Sequence, residues 1–294
     1  MKFNNVNFIG IRSGTQKKIN YKKIIALVIS ITIIIISVIL YIKFNQKDNI
    51  NSEETKDETT ESAQNIDNEK KEINSIYFEQ FKENVKHIYK SEEKRVFLTF
   101  DDGPSKTVTV QILDILKKNN IKATFFVLGN RVEINPDVLR REYEEGHYIA
   151  NHGYSHDYAK IYEKNTNVLD EYLKTEQCIR DALENSEYSS HLFRFPGGSV
   201  GGKYAEIKKQ AIGLLEDNGA TYLDWNALSK DAEGNFDKDK LIQNVISTSN
   251  GKNSIVVLMH DTGAKKSTVE ALQSIIDYFI ERGYIFKNMY DILE

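Results

Sequence analysis

The stretch Thr99-Phe100-Asp101-Asp102-Gly103-Pro104-Ser105 sets two adjacent carboxylates at the end of an apolar run, Val96-Phe97-Leu98, and just before a Gly-Pro turn. Adjacent aspartates repel, so a pair at the mouth of a buried strand calls for a cation, a basic partner or open water. Side chains alternate along a strand, but a turn at Asp102-Gly103 would let both carboxylates face one site. A solvated turn would carry the same residues. The rest of the chain decides between the two.

His152 and His156, in Asn151-His152-Gly153-Tyr154-Ser155-His156, place two imidazoles on one side of a helical turn or tight loop. With one carboxylate they make three nitrogen and oxygen ligands and leave a position open, which suits Zn²⁺. A lone His-x-x-x-His is often a surface accident. Here further reactive residues fall at the ends of later apolar runs: Arg194 in Phe193-Arg194-Phe195-Pro196-Gly197-Gly198, Asp224 beside the only tryptophan, Trp225, and His260-Asp261 after Leu258-Met259.

These residues need a scaffold that gathers strand ends. Helical spacing covers Val108 to Asn119, Pro136 to Glu145, Val168 to Leu183, Tyr204 to Asn218, Lys238 to Ser247 and Thr268 to Arg282. Short apolar strands alternate with them: Ala123 to Leu128, Tyr148 to Ala150, Leu192 to Phe195, Thr221 to Asp224 and Ser254 to Met259. Repeated strand–helix units indicate an α/β fold with a parallel sheet or barrel, whose chemistry collects at the carboxyl ends of the strands. Val85 to Tyr89 reads as a strand that could pair with Val96 to Phe100. Cys178 reads as a small packed residue, His147 as structural, His87 and His191 as surface or turn residues, and Asp261 as the start of a loop.

Before this domain the composition changes twice. Ile24 to Ile42 is an uncharged apolar run. As a helix it would be about 28 Å long, close to the thickness of a bilayer's hydrocarbon core. Lys2, Arg12, Lys17, Lys18, Lys22 and Lys23 precede it with no acid among them, which places residues 1–23 in the cytoplasm and 24–42 as a single membrane anchor. Residues 43–75 are polar and charged, an expected disordered spacer, and 76–294 form the folded domain, outside the cell. The remaining 33 basic residues face all 43 acidic ones, a balance of −10 that argues against nucleic acid as a partner. One cysteine cannot form an internal disulfide, and nothing in the sequence calls for an obligate protein partner.

Thr99 to Pro104, His152 with His156, Arg194-Phe195-Pro196, Asp224-Trp225 and Leu258-Met259-His260 resemble, in order, the five motifs of the polysaccharide deacetylase family, the NodB-homology domain of carbohydrate esterase family 4. The resemblance spans roughly Val96 to Leu293 and implies a distorted (β/α) barrel. It implies that Asp102, His152 and His156 hold one divalent ion, Zn²⁺ or another such as Co²⁺, and that Asp101 is the general base, fixed by Arg194. His260 would be the general acid with Asp224 holding its imidazole, the Gly197 N–H would face the oxyanion, and Trp225 and Leu258 would wall the sugar and acetyl methyl. Two positions depart from the family: Gly153 stands where Ser or Thr is common, and Gly197 where many members have Tyr. The activity implied is removal of N-acetyl groups from N-acetylglucosamine in a cell-wall glycan, with peptidoglycan favoured by the anchor. Chitin oligomers, poly-N-acetylglucosamine and acetyl-xylan are alternatives, as is an inactive glycan-binding protein.

Overall fold

The computed structural model describes residues 73–292. The apolar run Ile24–Ile42, the basic segment before it and nearly all of the expected spacer lie outside the described residues. Among the described residues, no helix is long and apolar enough to cross a membrane.

A helix over residues 73–86 (α1) opens the domain. The chain then runs β1 (Arg95–Asp101), α2 (Val108–Lys118), β2 (Thr124–Val127), α3 (Gly129–Ile134), α4 (Pro136–Glu144), β3 (Tyr148–Asn151), α5 (Tyr158–Ile161) and α6 (Asn165–Leu183). It continues β4 (Leu192–Phe193), α7 (Ala205–Asp217), β5 (Thr221–Tyr222), β6 (Ala227–Leu228), α8 (Lys238–Ser249), β7 (Ser254–His260), α9 (Lys266–Glu281), β8 (Ile285–Lys287) and a 3₁₀ turn, Met289–Ile292. The strands of the row pair in parallel, in the order β5-β4-β3-β2-β1-β7-β6. β8 joins β1 at Arg95–Phe97, below the Thr99–Asp101 stretch that pairs with β2.

That row of seven strands must curl. Laid flat it would span about 29 Å, at about 4.8 Å for each gap between neighbours. Only residues 223–226 join the two ends of the row, from Tyr222 to Ala227. A link of that length reaches at most about 18 Å. The sheet therefore bends into a half-barrel whose edges meet at this short link.

Alternation on β1 then sorts its side chains. Val96, Leu98 and Phe100 pack outward against Ile112 and Leu116 of α2 and Leu272 and Ile276 of α9. Phe97 points inward with Phe126, Tyr148, Ala150, Leu192 and Val256. The next inward positions are Thr99 and Asp101, so the period of two delivers Asp101 to the interior at the carboxyl mouth.

Two expectations need correcting. Val85 to Tyr89 is not a strand: Phe78, Phe81, Val85 and Ile88 recur at helical spacing, and the last three belong to the interior cluster with Met289 and Ile292. α1 thus closes the end of the barrel away from the mouth. The strands expected at Leu192–Phe195 and Thr221–Asp224 stop at Phe193 and Tyr222; beyond them Arg194 is buried beneath the site and residues 223–226 cross to β6. β6 and β8 are too short to stand out as apolar runs.

Candidate active site

Asp101, Asp102, His152, His156, Gly197, Trp225, Leu258 and His260 line one cavity of about 250 Å³ at the carboxyl ends of the strands. Of the residues singled out in the sequence, Arg194 lies beneath it, fully buried, and Asp224 lies to one side.

The donor set comes first. Asp102 Oδ1 is 3.3 Å from His156 Nε2 and 3.6 Å from His152 Nε2. Donors arranged tetrahedrally at about 2.0–2.1 Å from a zinc ion would stand about 3.4 Å apart. Asp102 Oδ1 is buried with no hydrogen-bond partner, a costly state that a cation would relieve. His152 Nδ1 lies 2.8 Å from the Arg194 carbonyl oxygen. Donating its proton there fixes the tautomer and turns the Nε2 lone pair toward Asp102. Burial holds the His152 imidazole neutral, its pKa pushed down to about 3, even though Asp102 favours its charged form. Asp102 and His156 both take left-handed backbone conformations, with φ 75° and 57°. Non-glycine residues adopt such conformations at a cost, and they concentrate at functional sites. These residues fit a divalent cation.

Asp101 sits behind that set on a buried arginine. Arg194 Nη1 donates to Asp101 Oδ1 at 2.8 Å and to Thr99 Oγ1 at 2.7 Å. Its Nε and Nη2 reach the carbonyls of Leu223 and Asp224, on the link that closes the barrel, and its guanidinium lies 3.8 Å over the Phe126 ring. Burial pushes the Asp101 pKa up, while Arg194 and His260 pull it back. The carboxylate is thereby fixed in place and made more basic than one in water.

At His260, the register partner of Asp101 on β7, the structure replaces one expected partner with another. Asp224 does not hold His260. Its carboxylate accepts from the Ser199 N–H at 2.9 Å and the Ser199 hydroxyl at 2.5 Å, tying down the Pro196–Ser199 loop. Lys208 Nζ, on the Gly198 carbonyl at 2.6 Å, and Tyr162 Oη, on the Pro196 carbonyl at 2.8 Å, hold the same loop. Glycine is needed at Gly197, where φ is 76° and a Cβ would meet the Tyr158 hydroxyl at 2.8 Å. The partner of His260 is Asp231: Oδ1 is 2.7 Å from His260 Nδ1, and Oδ2 accepts from the His260 N–H and from Thr268 Oγ1. Burial works against the imidazolium, but the bond and charge of Asp231, with Asp101 and Asp102 behind it, push the His260 pKa up to about 9. Asp231 is itself held below the usual carboxylate range, because the bonds and charge of His260 together outweigh its burial.

Asp231 escapes a reading of the sequence because it follows β6, a strand of two residues, while Asp224-Trp225 offers a more conspicuous Asp beside an aromatic. Tyr158, which also lines the cavity, carries only the weak signal of lying two residues after His156. Asp261 is fully buried and forms no part of the rim; it accepts from Thr109 Oγ1 at 2.5 Å under Gly103. A Cβ on Gly103 would stand 2.1 Å from Asp261 Oδ2. Gly103→Ala should therefore lower stability by about 1–3 kcal/mol, read as a fall in Tm. Gly201→Ala, with open space around it, should lose only the smaller cost of its positive φ.

The model of the family described as polysaccharide deacetylase matches residues 88–214. A peptidoglycan-N-acetylglucosamine deacetylase of Bacillus cereus is 33% identical over 205 residues, covering 68% of this chain and 71% of the relative. This chain belongs to the polysaccharide deacetylase family. Among solved structures, a Streptococcus mutans CE4 esterase superposes with a TM-score of 0.64 at 30% identity, over 70% of this deacetylase and 90% of that chain. A CE4 family pseudoenzyme of Bacillus anthracis aligns with a TM-score of 0.57 at 28% identity, over 69% and 66% of the two chains. This deacetylase is by family a hydrolase of amide bonds, and the cavity-lining residues that resemble the family motifs come together as one site.

Proposed function

We propose that this deacetylase removes N-acetyl groups from N-acetylglucosamine residues of a cell-wall glycan, with peptidoglycan as substrate, using one divalent ion held by Asp102, His152 and His156. The observation that carries the reading is a pair of separately anchored proton-handling groups lining the same cavity as one donor set: Asp101 anchored on Arg194, and His260 anchored on Asp231. The peptidoglycan relative from Bacillus cereus supports the choice of glycan.

Asp102, His152 and His156 would hold a divalent ion, which when bound would supply Lewis-acid polarisation. Asp101, anionic and fixed by Arg194, accepts the proton that water loses as it attacks. An amide anion is a poor leaving group, so the C–N bond breaks only as nitrogen is protonated. His260, charged at neutral pH because its pKa is about 9, gives that proton. The Gly197 N–H, on the loop tied down by Asp224, Lys208 and Tyr162, faces the developing oxyanion. Trp225 and Leu258 wall the sugar ring and acetyl methyl. Products are acetate and a free amine.

The pseudoenzyme of the same fold favours one rival, an inactive glycan-binding protein. Against it stands the complete set of donors and proton carriers. Incubation with purified peptidoglycan and with chitin oligomers, followed by mass spectrometry, tests the reading: acetyl groups should be lost from the peptidoglycan. Loss from chitin oligomers alone would move the substrate assignment, and no loss from either would favour the binding protein.

The run Ile24–Ile42 and the six basic residues before it support a single-pass anchor with the catalytic domain outside the cytoplasmic membrane. Protease added to intact protoplasts should then remove the domain. Survival of the domain until the membrane is lysed would reverse the topology.

A further inference from the structure

The two histidines of the donor set are separated by a three-residue loop, Gly153-Tyr154-Ser155, that has no regular structure of its own. Its start is held by bonds from the Gly129 and Asn130 N–H groups to the Gly153 and Tyr154 carbonyls and from the Gly153 N–H to Asn151 Oδ1. The donors of Tyr154 and Ser155, next to His156, all converge on one carboxylate from α6. Glu171 Oε2 accepts from the Tyr154 and Ser155 N–H groups, both at 2.6 Å, and Glu171 Oε1 accepts from Ser155 Oγ at 2.7 Å. Ser155 Oγ in turn accepts from the Asp157 N–H at 3.1 Å, so this chain of bonds brackets His156 on both sides. Gly153 adds no side chain to the loop and has φ 83°; a Cβ there would already stand 3.4 Å from Glu171 Oε2. Glu171 bonds to neither histidine here and does not line the cavity.

We infer that Glu171 is a positioning residue for the metal: its carboxylate, through three charge-assisted hydrogen bonds, holds the 153–156 loop in the conformation that turns His156 Nε2 toward Asp102. The physical reason is the backbone at His156, whose φ is 57°. A histidine leaves that left-handed region when nothing constrains it. Leaving it would swing Nε2 away from the Asp102 oxygen 3.3 Å distant. Two adjacent backbone N–H groups directed at one anion supply the constraint, and an ionised acceptor makes each bond stronger than a neutral one would. An amide in place of the carboxylate keeps the shape but not the charge: a neutral oxygen accepts more weakly from the two N–H groups, and the NH₂ is left to the Ser155 hydroxyl. Partners of this kind behind metal ligands are typically worth about 10–100-fold in metal affinity.

This inference rests on Asp102, His152 and His156 holding the ion, and its test separates the two. Zn²⁺ affinity of the purified full chain is measured by competition with a chromophoric chelator for the wild type, Glu171→Gln and Ser155→Ala. Thermal melting of the metal-free proteins runs alongside, and deacetylation rate is followed against added Zn²⁺. Glu171→Gln is expected to weaken Zn²⁺ binding roughly 10–100-fold and to regain most of its rate at saturating Zn²⁺. Ser155→Ala, which removes one of the three bonds to Glu171 and the bond from the Asp157 N–H but leaves both backbone N–H bonds to the carboxylate, should weaken it less. Unchanged affinity in Glu171→Gln overturns the inference, as does a rate that stays low at saturating metal with normal affinity. If Glu171→Gln does not fold, unchanged affinity in Ser155→Ala overturns it instead. A wild type that binds no Zn²⁺ defeats the donor-set reading itself, and this inference with it.

Discussion

Asp101→Asn should keep its metal and lose its rate. The amide preserves the shape of the side chain but accepts no proton, and loss of a general base typically lowers kcat by about 10²–10⁴-fold with little change in substrate binding. Asp102→Asn, one residue away, should fail differently. It exchanges an anionic ligand for a neutral one, so metal affinity should fall and excess metal should restore part of the rate. Metal analysis after dialysis and rate against added metal distinguish the two. The Asp101 change also leaves Arg194, fully buried, with no anionic partner, only the neutral amide oxygen, Thr99 and two carbonyls to accept from it. Removing one member of a buried ion pair commonly costs about 3–5 kcal/mol, so Asp101→Asn should also melt well below the wild type. Retention of metal by Asp102→Asn with its loss from Asp101→Asn would reverse the two roles.

Asp231→Asn should move the alkaline limb of the pH–rate profile to lower pH. His260 must be protonated to act as an acid, and its pKa of about 9 depends on the bond and charge of Asp231. Three carboxylates favour its charged form, Asp231 from the loop after β6 and Asp101 and Asp102 from the end of β1. Without the Asp231 charge, burial dominates and the pKa falls toward or below its ordinary value of 6.5. The fraction of active acid at pH 7 then drops, and kcat with it, by about fourfold at a pKa of 6.5 and by roughly tenfold more for each further unit of fall. Stability follows the same sign. A raised histidine pKa stabilises the fold fully below 6.5, and that contribution is lost as the pH climbs through about 9. The wild type should therefore lose stability over that window, and Asp231→Asn should show a flatter Tm there. Asp224→Asn is the control, because its carboxylate serves Ser199: it should lower kcat through the oxyanion loop and leave the alkaline limb in place. A shifted limb in Asp224→Asn and an unshifted one in Asp231→Asn would restore the pairing read from the sequence.

The exchange of Asp224 for Asp231 marks where the sequence is legible and where it is not. Asp101, Asp102, His152, His156 and His260 stand out because each follows an apolar run long enough to read as a strand, and strand ends in a parallel sheet share one face. Asp231 follows two residues of strand, so nothing local marks its approach to His260. Arg194 is visible as a strand-end residue, but its reach across the barrel to Thr99, Leu223 and Asp224 depends on the curl that the short 223–226 link imposes. α1 is obscured for a different reason: the valine and isoleucine of Val85–Tyr89 favour a strand locally, while the longer spacing from Phe78 to Ile88 is helical throughout. Glu171 lies on a helix that the sequence does show, yet its task is set by the path of a loop, which no periodicity records.

The most direct test is metal removal and return on a glycan substrate. Enzyme stripped with a strong chelator, then dialysed, should release no acetate from peptidoglycan, and a single equivalent of Zn²⁺ should restore release in the wild type but not in Asp101→Asn. Full deacetylation by the stripped protein, or none at any metal concentration tried with the wild type, would contradict a metal-dependent glycan deacetylase built on Asp102, His152 and His156.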